Sequence, residues 1–168
     1  MKKSSPDNLI KFRPITDRDL PFLNQLYADT RAQEMAMSGW EQQQIDRFLQ
    51  MQFDLQHKQW MENYPDAQFD IILYDKIPAG RLYVHRKKDD IRIIDIALLS
   101  RFRLQGIGTW LMNRLTSEAD KKQLPLSLHV EHNNPIMGLY ERLGFTRQGE
   151  LKGVYYFMSR PPLEPGKN

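Results

Sequence analysis

Apolar and polar positions change period several times along this chain, and each change marks an element. Ile10 and Phe12 alternate with Lys11 and Arg13, which predicts a short strand stopped by Pro14 and Thr16. Thr16 then reads as a helix cap, with Asp17 and Asp19 where the positive end of a helix favours acids. Leu20, Leu23, Leu26 and Tyr27 follow at helical spacing, and a second helical stretch runs from Trp40 to Trp60, its apolar set broken by solvated glutamines. After Pro65 the period shortens. Phe69 to Tyr74, Ala79 to His85 and Ile91 to Leu99 are rich in Ile, Leu, Val and Tyr and are separated by Asp75-Lys76 and by Lys87 to Asp90, the pattern of a three-stranded meander. Gly106 to Lys121 returns to helical spacing through Ile107, Trp110, Leu111, Leu115 and Ala119. Leu126 to Glu131 is a strand. Pro135 to Leu143 is a short helix ended by Gly144, and Phe145 to Glu150 and Val154 to Ser159 are the last strands. Runs of strands mixed with single helical crossovers imply an α+β, three-layer architecture: one mixed sheet flanked by helices.

Composition narrows the function classes. The 168 residues are 40% hydrophobic and 27% charged, and neither linker nor repeat divides them, so one domain over residues 1–160 is expected, with a Pro- and Gly-rich tail over 161–168 that frays. There is no cysteine, which excludes disulfides, thiolate metal sites and a cysteine nucleophile. The two lysines near the N-terminus precede no apolar run, and no stretch approaches a membrane span, so a cytoplasmic protein without a membrane role is expected. The net charge of +3 is scattered, and the densest basic run, Arg86 to Lys88, is answered at once by Asp89 and Asp90. That reads as a hairpin turn, not a nucleic-acid surface. His85, His129 and His132 lack a ligand spacing, so no metal is expected. The remaining partners are small molecules, with a monomer or homodimer as the assembly.

The strongest local signal is Arg103-Leu104-Gln105-Gly106-Ile107-Gly108-Thr109, between a strand and an amphipathic helix. The first turn of a helix has backbone N–H groups without intrahelical partners, and an anion can sit on them. Glycine lets the backbone approach that anion, although glycine also serves turns for geometry alone. Arg103 to Gly108 matches R/Q-x-x-G-x-G/A, the coenzyme A pyrophosphate loop of the GNAT acetyltransferase superfamily, and Ile96 to Phe102 is similar to that family's fourth strand and its approach to the loop. Downstream, Asn133 to Phe145 resembles a second motif of the same family, in which an asparagine precedes a helix ending in L-Y-E-x-L-G-F. The resemblance covers about Phe69 to Met158. It implies a GNAT-like acyl-CoA N-acyltransferase fold with a central mixed sheet of six or seven strands. It also implies acetyl-CoA as co-substrate, lying where the fourth and fifth strands splay apart. Ala97, Leu98 and Leu99 would offer backbone to its pantetheine arm, and Arg103, Leu104, Gln105, Gly106, Ile107, Gly108 and Thr109 would hold its pyrophosphate.

The activity implied is N-acetylation of a primary amine. An amine must lose a proton, attack the thioester, and release a thiolate that needs stabilising. The resemblance places Tyr140 as donor to that thiolate, a role a phenol with a pKa of about 10 can fill; a core aromatic is the plainer reading of the residue. Asn133 and Asn134 both lie at spacings used for the cofactor arm, and either also suits a helix cap. The base is a departure: many relatives carry a glutamate where this chain has Arg92. Asp95, inside the apolar run Ile93 to Ile96, is the candidate base, a structural hydrogen bond across strands its alternative. Glu131 and His129 on the next strand, or a base acting through water, are rivals. The resemblance also places the acceptor against Arg31 to Trp40 and Lys152 to Tyr156, without naming it. Without its strand glutamate, the chain could alternatively be a coenzyme A-binding module of little turnover.

Overall fold

The computed structural model describes residues 6–166. Lys2 and Lys3 of the expected N-terminal segment and the last two residues of the expected tail lie outside the described residues. The helices are α1 (Pro6–Leu9), α2 (Leu20–Thr30), α3 (Ala32–Ala36), α4 (Gln42–Asn63), α5 (Ile107–Lys122) and α6 (Met137–Arg142). The strands are β1 (Ile10–Pro14), β2 (Gln68–Tyr74), β3 (Ile77–Arg86), β4 (Ile91–Leu98), β5 (Leu126–Glu131), β6 (Thr146–Arg147) and β7 (Tyr155–Arg160). They form a seven-stranded sheet in the order β1-β2-β3-β4-β5-β7-β6. β1 pairs antiparallel with β2, and β7 antiparallel with both β5 and β6, whereas β4 and β5 run parallel, so the sheet is mixed as expected. Pro14 is tolerated because β1 is the edge strand and needs no donor on its open side.

The chain gathers into two compact units, one running up to Tyr83 together with Asp95–Gly108, the other Val84–Ile94 together with the chain from Thr109 onward. Each draws on distant parts of the sequence. In the first, Leu23 and Tyr27 of α2, Met35 of α3, Leu49 and Phe53 of α4 and Ile71 of β2 form one buried cluster. The α2 entry is fixed by Asp19, which accepts both Arg13 guanidinium nitrogens at 2.8 Å and the Thr16 N–H at 2.8 Å. Asp75 and Lys76 turn β2 into β3 with φ of 48° and 68°, the left-handed pair that a two-residue hairpin demands. In the second unit, buried Arg160 on β7 donates to Leu143 O at the end of α6 and to both carboxylate oxygens of Asp120 on α5. Beyond β7, Leu163 is held by Asp120 and Gln123, within the segment expected to fray.

Two features carry no clear periodicity in the sequence: α1, and the short helix α3 inside the connection Arg31–Trp40. Met35 turns inward there because Ala32 to Ala36 make one helical turn over the core. The expected penultimate strand shrinks to the two residues of β6, with Lys152 and Tyr155 bridging where the chain reverses.

Candidate active site

The turn after β4 leads through Gly106 into the start of α5. Leu99, expected within the strand, lies just past it, its N–H donating to Ala79 O at 2.8 Å. Ser100–Phe102 form a 3-10 turn anchored by buried Phe102, and Gln105 caps it by donating to Arg101 O at 2.6 Å. Leu104 has φ 60° and is fully exposed. Gly106 has φ +83° and α5 opens at Ile107, so the amides of Ile107, Gly108 and Thr109 are the orphan donors of its first turn. The two glycines are not equivalent. Gly106 is required by its left-handed backbone. Gly108 has ordinary helical geometry, and a Cβ there would meet no atom of the chain within 4 Å. Nothing in the fold requires Gly108 to be glycine, so its bareness is a property of the surface that the helix amides present.

Arg103 does not extend freely from this loop. Its Nε donates to Leu98 O at 2.9 Å and its Nη2 pairs with Asp29 at 3.1 Å. Asp29, on the last turn of α2, also accepts the Ser100 N–H at 2.8 Å and the Ser100 hydroxyl at 2.6 Å. One carboxylate thus fixes both the 3-10 turn and the arginine. Leu98 and its neighbour Ala97 are set from the other side by Gly80 of β3, where a Cβ would overlap the Ala97 carbonyl oxygen.

Asp95, the candidate base, accepts Arg81 Nε at 2.6 Å. Arg81 is 5% exposed along its side chain, its guanidinium lying over Trp60 at 5.1 Å and over Tyr83 at 5.2 Å. Burial pushes the Tyr83 phenol up to about 12, with Arg81 opposing it. A proton placed on Asp95 would strip Arg81 of its counter-charge inside the protein, which is costly. Arg92 donates to Ser127 Oγ at 2.7 Å, and that hydroxyl donates to Asp90 at 2.7 Å.

In the second unit, the two asparagines separate. Asn134 Oδ1 accepts the Ile136 N–H at 3.0 Å, an Asx turn that leads into α6, so its side chain serves the fold. Asn133 is exposed beside it. Tyr140 sits on α6, half-buried, its ring 5.7 Å from Phe145, and Gly144 closes the helix at φ +97°. His129 is exposed on β5 opposite Phe157 of β7, the two rings 5.2 Å apart. Burial of part of the ring, and then the Arg92 and Lys152 cations, hold His129 below the ordinary imidazole value. Of the expected acceptor-side residues, Met35 belongs to the core, whereas Met37, Trp40 and Tyr155 are exposed.

The motifs did not reveal Asp29, Gly80 or Arg81. Arg81 carried a signal all the same: it is a charge inside the apolar run Ala79 to Val84, as Asp95 is in its own run, and two opposite charges on neighbouring strands call for each other. Asp29 had none, because its partners lie more than 70 residues away. Among the described residues no group of His, Cys, Asp or Glu could hold a metal ion, and no helix is long and apolar enough to cross a membrane.

These elements recur in known proteins. The chain is 33% identical over 98 residues to a putative [ribosomal protein bS18]-alanine N-acetyltransferase of Bacillus subtilis, covering 56% of this chain and 64% of that one. It is 33% identical over 79 residues to an N-alpha-acetyltransferase of Saccharolobus solfataricus, covering 41% and 47%. The matches thus span less than two thirds of these relatives' length. Among solved structures, the PaiA N-acetyltransferase of Thermoplasma acidophilum in complex with coenzyme A superposes with a TM-score of 0.65 at 16% identity, over 90% of this chain and 98% of that one. The ribosomal-protein-S18-alanine N-acetyltransferase of Escherichia coli gives 0.61 at 19%, over 95% and 98%. At such identities these two speak for the fold. The sequence profile of the acetyltransferase (GNAT) family matches residues 24–145, most of the chain and both motif regions, and the protein belongs to that family.

Proposed function

We propose that this protein transfers an acetyl group from acetyl-CoA to the α-amine of a peptide or protein N-terminus. The observation that carries the cofactor half is Gly108, a helical position left bare beside unsatisfied amides, in a loop that matches the family's pyrophosphate motif. In this reading the amides of Gly106, Ile107, Gly108 and Thr109 take the pyrophosphate, and the backbone of Ala97 and Leu98 faces the pantetheine arm. Arg103 brings positive charge once it exchanges Leu98 O and Asp29 for phosphate. Asn133, not Asn134, serves the cofactor arm, because Asn134 is occupied by its turn. Tyr140 protonates the leaving thiolate. Asp95 is assigned the support of Arg81 in place of proton transfer. The α-amine half draws on the two curated relatives, whose names specify alanine and N-alpha acetylation. The proposal includes a cytoplasmic setting, where acetyl-CoA is at hand.

The test is calorimetry of acetyl-CoA binding to the parent and to Gly108→Val, followed by thiol release with alanine-initiated peptides. The parent is expected to bind one acetyl-CoA and to release coenzyme A. The folded variant is expected to lose binding by at least about tenfold, since its isopropyl group occupies the space a phosphate needs. Equal affinity would refute the site, and binding without turnover on any amine would leave only a coenzyme A-binding module.

A further inference from the structure

The ion pair of Arg103 differs from those that hold the fold. Arg13 meets both oxygens of Asp19 through two nitrogens at 2.8 Å, and Arg160 meets both oxygens of Asp120 at 2.8 and 3.2 Å. Arg103 meets Asp29 through one nitrogen at 3.1 Å, with 42% of its side chain exposed. A single exposed contact of this kind contributes little and exchanges readily. Asp29 is held more firmly, by the Ser100 N–H at 2.8 Å and the Ser100 hydroxyl at 2.6 Å. The carboxylate is thus the fixed member of the pair and the guanidinium the movable one. Asp29 also stands in the last turn of α2, where the negative end of a helix disfavours an acid. Arg31, two residues on, is turned to Glu34 at 2.6 Å and does not answer it. An acid is therefore placed against the helix field and onto the one cation of the loop motif. We propose that Asp29 is a positioning residue that competes with the cofactor pyrophosphate for Arg103 and so sets how fast coenzyme A leaves.

The proposal rests on the acetyl-transfer reading and deepens it. A carboxylate and a phosphate take the same donor edge of a guanidinium, so one displaces the other. The cofactor must break the Asp29 pair before it gains Arg103, and its affinity falls by what that pair is worth, roughly 2- to 5-fold. Asp29 does not drift away in the exchange, because Ser100 keeps it in place, and it stands ready to take Arg103 back. The competition therefore acts chiefly on dissociation. Arg103 also donates to Leu98 O, one of the carbonyls assigned to face the pantetheine arm. When the guanidinium turns to phosphate it frees that carbonyl, so one side-chain movement serves both parts of the cofactor. Acetyl-CoA and coenzyme A carry the same pyrophosphate and are weakened alike. The gain is in turnover, since departure of the product can set the rate of an enzyme.

The experiment measures release of fluorescently labelled coenzyme A, chased with excess unlabelled coenzyme A in a stopped-flow instrument. It compares the parent, Asp29→Asn, Arg103→Gln and the double variant, with acetyl-CoA affinity from calorimetry and folding from melting curves. Asparagine keeps an oxygen for the Ser100 N–H and removes the charge, so the turn is expected to hold. Asp29→Ser, also uncharged, is a second test of the same point. The expected result is a release rate roughly 2- to 5-fold slower for Asp29→Asn, with acetyl-CoA bound more tightly by the same factor. The gain should shrink as salt is raised and be absent where Arg103 is already glutamine. A residue that only supports the turn would instead weaken binding when altered. Folded Asp29→Asn and Asp29→Ser proteins that bind no more tightly than the parent overturn the proposal, and so does an equal gain with and without Arg103; acetyl transfer stands in both cases. A parent that binds neither coenzyme A nor acetyl-CoA overturns the acetyl-transfer reading as well.

Discussion

Replacing Asp95 by asparagine separates a structural role from a catalytic one, because the two predict opposite patterns. Asparagine keeps the shape and one oxygen that can accept from Arg81 Nε, but removes the charge. Arg81 would then be a cation 5% exposed, supported by Trp60, Tyr83 and a neutral amide. Removing one partner of a buried pair costs about 3–5 kcal/mol. Asp95 keeps 28% of its side-chain exposure and the amide still accepts, so the expected loss is nearer to about 2–3 kcal/mol. In a chain of 168 residues this lowers the melting temperature by roughly 5–10 °C. Urea unfolding of Asp95→Leu, Arg81→Met and the pair Arg81→Met with Asp95→Leu, beside Asp95→Asn, completes the cycle. The double variant should recover to within about 1 kcal/mol of the parent, since an apolar pair of similar bulk avoids desolvating two charges. Acetyl transfer by folded Asp95→Asn should stay within a few-fold of the parent. A variant as stable as the parent to within about 0.5 kcal/mol, yet slowed about 100-fold or more with an altered pH profile, would refute this reasoning and return the base to Asp95.

Two further outcomes follow from the same geometry. Gly80→Ala should cost about 1–3 kcal/mol and weaken acetyl-CoA binding together, because the new Cβ displaces the Ala97 carbonyl and meets Leu98; calorimetry and melting curves that match the parent would contradict it. The Arg13 hydrogen bonds, against the opposing effect of burial, hold the Asp19 carboxyl at about 2, below its usual 3.8. Its folded value is depressed, so the stabilisation is present above pH about 4 and fades as pH falls towards about 2. The shift corresponds to roughly 2 kcal/mol, and water around Arg13, 40% exposed, reduces the expectation to about 1–2 kcal/mol. Urea unfolding of the parent and Asp19→Asn should therefore differ by that amount at pH 7, narrow progressively below pH about 4, and converge only below the folded value of about 2.

Local pattern was enough for most of the elements. The alternation at Ile10–Arg13, the helical spacing from Ile107 to Ala119 and the apolar run Leu126–Glu131 each settle their own backbone state, because side-chain periodicity and backbone period are one fact. The loop from Arg103 to Thr109 and the segment from Asn133 to Phe145 were legible as motifs because each is made of consecutive residues. The short helix α3 was not, since five residues carry too little period to show and are held by the packing of Met35. Nor does the sequence distinguish Asn133 from Asn134, of which Asn134 accepts the Ile136 N–H in the fold.

The partners of the ionisable groups were decided in three dimensions. Asp95 read as a candidate base because a lone acid in an apolar run must be paired or functional, and it was strand packing that supplied Arg81, fourteen positions away. Asp29 finds its partners only where α2 meets the turn after β4, and His129 is held below the ordinary imidazole value by partial burial and then by Arg92 and Lys152, which the fold brings beside it. Periodicity fixes which residues lie on which face of an element. Charge interactions act through space at a few ångströms, so which carboxylate is paired and which imidazole stays neutral depends on contacts that the order of residues along the chain does not encode locally.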